Sequence, residues 1–130
     1  MGSGPYFALY RPYHLASVEA PLSVARAILD RESSLFAPHL QAEVCAMAKK
    51  DLNPGDKIDG IGGYTVRGYS DIASDAKREN LVPIGLIQSA IVQKPIKVGD
   101  LISYDQVELN ESSLIVQLRR MQDNLGLTYA

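Results

Sequence analysis

One stretch of the sequence occurs twice, and this repeat restricts the fold more than any other feature. Residues 45–58 (CAMAKKDLNPGDKI) and 89–102 (SAIVQKPIKVGDLI) align without a gap, 44 residues apart. The identical pairs are Ala46/Ala90, Lys50/Lys94, Gly55/Gly99, Asp56/Asp100 and Ile58/Ile102. A duplicated unit of this kind predicts a small β module with internal pseudo-symmetry.

Each copy has the pattern of a strand, a turn and a return strand. The turn is Pro-Gly-Asp in the first copy and Val-Gly-Asp in the second. Gly55 and Gly99 can adopt a positive φ angle, and Asp56 and Asp100 can accept hydrogen bonds from nearby backbone amides. We therefore predict a compact fold of short, strongly bent strands over residues 42–109.

Helices are predicted on both sides of this module, so the expected fold class is α+β. Residues 21–31 carry an apolar stripe, and Pro21 suits a first helical turn. Residues 111–125 predict a terminal helix that Asn110 or Ser112 can cap. Its expected apolar face consists of Leu114, Ile115, Leu118, Met121 and Leu125.

Two further segments have recognisable local patterns. Ser74 opens a polar stretch and could cap a single helical turn. Residues 81–87 contain Pro83 and Gly85. They therefore predict a bent, interrupted strand rather than a helix.

Composition and charge exclude several classes of protein. A formal charge of −2 and a pI near 5.6 argue against a nucleic-acid or anionic-membrane surface. The single cysteine excludes an internal disulfide framework and favours the reducing cytoplasm. No apolar stretch approaches the roughly 20 residues that cross a bilayer. Residues 1–4 resemble a scar of recombinant expression, so we expect a piece of a longer protein.

A glycine-rich segment lies between the two copies of the repeat. Residues 59–68 contain four glycines, and GIGGYT at 60–65 opens like a dinucleotide-binding fingerprint. Thr65 stands where the third glycine is required, and no helical pattern follows. We interpret the segment as a structural turn, and we expect no Rossmann-type binding of NAD(P) by this chain.

The most suggestive polar cluster lies near the N-terminus, in an aromatic-rich segment that should be extended. Arg11 could clamp an anion, Tyr13 could donate a hydrogen bond, and His14 could transfer a proton. In a strand Arg11 and Tyr13 would face one side and His14 the other, unless the chain twists at Pro12. The alternative is a strand that packs its aromatic residues and pairs its arginine with a carboxylate.

Most other polar residues favour structural interpretations. Lys50 and Lys94 precede the two turns, where a solvated lysine is expected, although a paired-cation site for an acidic sugar is the alternative. His39 should be an exposed loop residue, and Cys45 a small buried hydrophobe. The arginines of the terminal helix, Arg119 and Arg120, are expected in water or against a neighbouring subunit. Two histidines and one cysteine offer no metal-binding pattern, and Ser112-Ser113 lacks the partners of a hydrolase triad.

The second copy resembles the SAF family, which is named for sialic-acid synthase, antifreeze protein and flagellar chaperone domains. The similarity extends from residue 74 through residue 107, and the first copy is similar to the family's opening strand and Pro-Gly-Asp turn. The resemblance implies a β-clip fold. Residues 6–29, 59–66 and 118–123 are in turn similar to the C-terminal region of homoserine-dehydrogenase-like and deoxyxylulose-phosphate-reductoisomerase-like oxidoreductases.

This resemblance implies the domain organisation and the partners. Residues 5–41 would be the tail of an oxidoreductase catalytic domain, 42–109 the β-clip, and 110–130 a C-terminal helix and tail. NAD(P) would bind an upstream Rossmann domain of the same polypeptide, and a homo-oligomer is possible. In such a parent Arg11, Tyr13 and His14 would be substrate-cleft residues, while Gly62 and Gly63 would allow close approach of a ligand.

Two functions remain open at this point. The chain is either a non-catalytic module of a larger NAD(P)-dependent oxidoreductase, or an independent module that binds a carbohydrate or polyol through the loops around residues 60–64. Ice binding would need a flat, mostly uncharged face, which the many charged residues do not favour.

Overall fold

The computed structural model describes residues 8, 10, 15–35 and 39–125, and the chain divides into two units, Met1–Ala37 and Pro38–Ala130. The described residues form a small α+β protein with α-helices and two small antiparallel sheets. This confirms the predicted class. Each unit is described by itself below.

The first unit contains one described helix, α1 (Ala16–Leu29). It begins five residues earlier than predicted, so Pro21 lies inside the helix and not in its first turn. A proline at this position leaves the carbonyl four residues earlier without its usual donor. None of the residues of α1 is buried, and its apolar stripe, including Leu22 and Leu29, is exposed.

The second unit begins with a β-hairpin and a short helix. Strand β1 (Ala42–Ala48) pairs antiparallel with β2 (Val66–Ile72), with Cys45 opposite Tyr69. Helix α2 (Ala73–Arg78) follows β2 directly. The expected helical turn is therefore present, but Ser74 lies inside it and does not cap it, because Ile72 occupies the N-cap position.

The remaining elements are short. A 3-10 turn (Ile84–Leu86) precedes β3 (Ile91–Val92), which pairs antiparallel with β4 (Val107–Glu108) after a second 3-10 turn (Tyr104–Gln106). Isolated bridges at Leu81 and Pro83 precede the first turn, so the start of the predicted interrupted strand is extended, but its second half is the 3-10 turn Ile84–Leu86. Helix α3 (Leu114–Asn124) ends the described chain with Ser113 at its N-cap, and neither Asn110 nor Ser112 takes that place.

The two copies of the repeat interlock about a local pseudo-twofold axis. At its centre the equivalent residues Leu52 and Ile96 exchange both backbone hydrogen bonds, each at 2.9 Å. Four further bonds form two matched pairs across the copies: Ala48 N to Asp100 O with Val92 N to Asp56 O, and Ile102 N to Ala46 O with Ile58 N to Ala90 O. Each copy therefore satisfies the backbone of the other, which the alignment alone could not show.

The two turns have the predicted chemistry. Gly55 has φ +91° and Gly99 φ +89°. The Asp56 carboxylate accepts a hydrogen bond from the Asn53 amide at 2.8 Å, and Asp100 accepts one from Lys97 at 3.1 Å. The structural interpretation of both aspartates is thus confirmed.

The hydrophobic core lies where the two copies meet. Its largest fully buried side chains are contributed by both copies and by the segment between them: Leu52, Ile58, Val66, Val82, Ile87, Val92, Ile96 and Ile102. From α3 only Val116 is buried. The face of α3 that was predicted to be internal is exposed instead, because the helix packs on the module with its opposite side.

Candidate functional site

The predicted N-terminal cluster cannot be placed. Arg11, Tyr13 and His14 lie outside the described residues. Their assignment to a substrate cleft stays a prediction.

The glycine-rich segment is closed on the carboxylate of Asp59. This carboxylate accepts hydrogen bonds from the Tyr64 amide at 2.6 Å, from the Thr65 amide at 3.1 Å and from the Thr65 hydroxyl. The hydroxyl bond is the largest of several that lower the pKa of Asp59 to about 2. The segment is therefore a turn organised by an ionised aspartate.

The two glycines that were predicted to admit a ligand have roles inside this turn. Gly62 has φ +80°, which favours glycine. A side chain at Gly63 would collide with the Asp59 carboxylate, and the Gly63 carbonyl accepts a hydrogen bond from Lys49 Nζ at 2.6 Å. Neither glycine lines the groove described next.

A groove of about 1070 Å³ lies within the second unit, bordered by β1, α2, β4 and α3. Its apolar lining includes Ala76, Leu81 and Val107. Its polar lining consists of Glu43, Lys77, Asn80, Ser89, Gln93, Tyr104, Glu108, Asn110, Glu111, Arg119, Arg120 and Asp123. This volume is in the range of small-molecule sites in proteins.

One wall of the groove is an ion-pair network centred on Arg119. Its Nη1 lies 2.7 Å from Glu43 Oε2, and its Nε donates to Asp123 Oδ1 at 2.8 Å. The side chains of Arg119 and Glu43 are only 18% and 15% exposed. Burial lowers the pKa of Arg119, but the contacts with the two carboxylates outweigh it, so that the pKa is raised overall.

The same network leaves one acceptor incompletely satisfied. Glu43 Oε2 is buried and has no aligned hydrogen-bond donor in the described structure, although the Arg119 guanidinium is close. A buried acceptor without an aligned donor is costly.

A second arginine forms the rim. Arg120 donates to Glu111 at 2.9 Å and lies over the ring of Tyr104, 5.2 Å from its centroid. Burial raises the pKa of Tyr104, so its phenol is neutral at physiological pH. Tyr104 is held in place by its 3-10 turn, where the Gln106 side chain accepts a hydrogen bond from the Ser103 amide at 3.0 Å.

Chemically, the groove combines two arginines that are already paired with carboxylates, the charged residues Lys77 and Glu108, an apolar lining and neutral hydrogen-bonding groups. An anion would have to compete with Glu43, Asp123 and Glu111 for the two arginines. A neutral ligand with several hydroxyl groups would not. Among residues 15–35 and 39–125, no cluster of three or more histidine, cysteine or acidic side chains could hold a metal ion.

Sequence reasoning missed part of this site. Glu43 and Tyr104 were not singled out, and Arg119 was expected in water or against a neighbouring subunit, whereas it is largely buried against Glu43 of the same chain. The spacing of Arg119 and Asp123 is a local signal for an ion pair on a helix. No local signal links Arg119 to Glu43, since they are far apart in the sequence.

The structure also places the remaining candidate residues, Cys45, Lys50, Lys94 and His39. Cys45 is fully buried as predicted, and burial is the main cause that raises its pKa to about 11. Lys94 pairs with Asp105 at 2.7 Å, whereas Lys50 and His39 are exposed. The hypothesis of a paired-cation site thus has one of its two lysines already engaged by a carboxylate.

No protein-family model matches the chain, and no curated protein matches it significantly. Within the described part of the chain, no helix has the length and apolarity required to cross a membrane.

Proposed function

We propose that this chain is a non-catalytic, SAF-like β-clip module of a larger cytoplasmic oxidoreductase that resembles homoserine dehydrogenases. In that parent, NAD(P) binds an upstream Rossmann domain. The module shapes one side of the substrate cleft and helps subunits associate. The proposal continues the resemblance of the repeat and its flanking segments to that group of proteins.

The observation that carries the proposal is the state of α1. Its apolar side chains Leu22, Ile28 and Leu29 are between 60% and 79% exposed, and the helix buries none of its residues. Isolated helices of this length are marginal in water, and helices in proteins owe most of their stability to packing of an apolar face. Such a helix therefore fits a fragment of another domain whose core is missing.

The interlocked repeat is a second observation that supports the same proposal. The module satisfies its own backbone and encloses its own core, so it can fold as a rigid attachment to a catalytic domain. Its groove then contributes neutral and paired polar groups to the edge of a cleft.

The decisive experiment compares this chain with the product of its full reading frame. We expect an upstream strand-GxGxxG-helix segment of ordinary domain size, and saturable NADPH binding by the full protein only. In hydrogen exchange, the amides of α1 should be protected in the full protein and exchange freely in this chain. Saturable NADPH binding by this chain alone would contradict the proposal.

A matched pair of variants tests the role of α1 directly. Leu22→Ser should weaken the protection of α1 in the full protein, because it removes an apolar contact. Ile61→Ser, at a residue that is 70% exposed in a turn of the module, should leave that protection unchanged.

The alternative is an independent module that binds a carbohydrate or polyol, and the groove favours it. Its volume and its neutral polar groups, among them Asn80, Gln93 and Tyr104, suit a ligand with several hydroxyl groups. This differs from the loops around residues 60–64, which the sequence suggested for the same ligand class.

An NMR titration of this chain with neutral and acidic sugars distinguishes the two sites. Saturable amide shifts at Tyr104 and Arg119 would support binding in the groove. Shifts confined to residues 60–64 would support the loops, and no saturable shift at either site would exclude the alternative.

A further inference from the structure

Helix α3 has two opposite sides with opposite properties. Its inner side carries Val116, which is 1% exposed, together with Arg119 and Asp123. At 3.6 residues per turn, Leu114, Leu118, Met121 and Leu125 form a stripe on the other side. These four side chains are between 49% and 74% exposed.

The spacing of this stripe indicates what kind of surface it fits. The intervals of four, three and four residues are those of a helix–helix seam. We therefore look for another helix as the occupant.

The positions of the charged residues of α3 indicate which kind of helix fits the outer stripe. All of them lie on the inner side: Arg119 pairs with Glu43 and Asp123, and Arg120 with Glu111. The residues beside the outer stripe are Ile115, Gln117, Gln122 and Asn124, none of which is charged. Flanking charges select the partner and orientation of paired helices, and a stripe without them brings no like charges together when it meets its own copy.

We propose that the outer stripe of α3 binds the same stripe of a second copy of this chain, as an antiparallel helix pair. A twofold axis makes such an interface isologous. In the register that uses the whole stripe, Leu118 of one copy lies opposite Met121 of the other, and Leu114 lies opposite Leu125. This inference specifies the subunit contact of the proposed function, but it rests on α3 alone and stands without the oxidoreductase parent.

A membrane surface is a poorer occupant of the same stripe. Interfacial helices carry lysine or arginine on the polar face, where these residues meet anionic lipids. Both arginines of α3 are instead held by carboxylates, Arg119 by Glu43 and Arg120 by Glu111.

The first test measures self-association of the whole chain by sedimentation equilibrium from micromolar to millimolar concentration. We expect a monomer–dimer equilibrium. Leu118→Glu should raise the dissociation constant about 10- to 100-fold, because it replaces a buried apolar contact with a charge near the axis. Ile61→Glu, at an exposed position outside α3, should not change it.

The second test measures the register by disulfide cross-linking of variants that each add one cysteine. An equal mixture of Leu118→Cys and Met121→Cys should cross-link in higher yield than either variant alone. A parallel pair would reverse this order, since each cysteine would then meet its own copy. Cys45 does not interfere because it is fully buried.

Three results would overturn the proposal. The first is a chain that stays monomeric at millimolar concentration, and the second is a dimer that survives Leu118→Glu with its NMR spectrum still folded. The third is protection of the stripe by anionic vesicles or by an upstream domain while the chain remains monomeric.

Discussion

The interlocked repeat and the two longest helices place their apolar residues in opposite ways. Across residues 45–102, the large aliphatic side chains of both copies meet in one core, and the backbone of each copy is completed by the other. In α1 and on the outer side of α3, the apolar residues face outward. The repeat therefore contains the source of its own stability, whereas the helices carry surfaces suited to association.

Substitution in the core should give the largest effect and tests this comparison most directly. Leu52→Ala removes a side chain that is 1% exposed at the pseudo-twofold axis, and we expect a loss of about 2–5 kcal/mol in the free energy of unfolding. Leu22→Ala on α1 removes the same atoms from an exposed site. It should change the free energy by less than about 0.5 kcal/mol.

Urea unfolding followed by far-UV circular dichroism checks both values. Equal losses for the two variants would mean that α1 is as well packed as the repeat, and the comparison would fail.

Breaking the largely buried ion pair of the groove should have the next largest effect. Glu43→Ala leaves the guanidinium of Arg119 with Asp123 alone, and we expect a loss of about 1–3 kcal/mol. Lys94→Met breaks the exposed pair with Asp105 and should cost much less. In a double-mutant cycle, the effects of Glu43→Ala and Arg119→Ala on the free energy of unfolding should be strongly non-additive. Additive effects would show that Glu43 and Arg119 are not coupled.

The two turn glycines should respond alike, because they occupy equivalent positions. An added Cβ at Gly55 or Gly99 has open space, so the cost comes only from the positive φ angle and should be about 1–2 kcal/mol for either alanine variant. Gly85 also has open space but no positive φ, so Gly85→Ala is the matched control and should not lose stability. Thermal unfolding of the three variants measures these losses of stability. Unequal losses for Gly55→Ala and Gly99→Ala would show that the two copies are not equivalent.

The pH dependence of stability should be the smallest effect. The Thr65 hydroxyl and backbone amides lower the pKa of Asp59 to about 2, and Lys94 and Ser103 do the same for Asp105. A carboxyl whose pKa is lowered by folding stabilises the native state above its unfolded value, about 3.9. That contribution is lost as the pH falls toward about 2.

Urea titrations between neutral pH and pH 2 can measure this loss. Asp59→Asn should remove the part of the pH dependence of stability that comes from Asp59. Lys94→Met should reduce only the part that comes from Asp105. A pH profile that neither variant alters would show that these hydrogen bonds do not persist in solution.

Features encoded within a few residues could be predicted from the sequence. The turns at Gly55 and Gly99 and the interruption at Pro83 follow from backbone preferences, which do not depend on distant contacts. The existence of α1 and α3 follows from apolar periodicity, although their first residues differ from those predicted. Buried Cys45 followed from its apolar surroundings.

What could not be predicted depends on pairs of residues that are distant in the sequence. From the apolar stripe of α3 we predicted that this side of the helix would be buried. The opposite side is buried instead, because Arg119 on that side pairs with Glu43. Likewise, the groove forms from β1, α2, β4 and α3 together. Periodicity identifies an amphipathic helix, but it does not identify which surface the rest of the chain will cover.

The exchange of hydrogen bonds between equivalent positions has a consequence for half-length chains. A peptide with a single copy would expose the amides and carbonyls that the second copy supplies in this protein. Two such peptides could satisfy each other with the same geometry, so the present chain can be regarded as a symmetrical two-chain assembly joined by a linker, residues 59–88, that also carries β2, α2 and part of the core. Cutting that linker between the copies should yield fragments that are unstructured apart and reconstitute the fold when mixed.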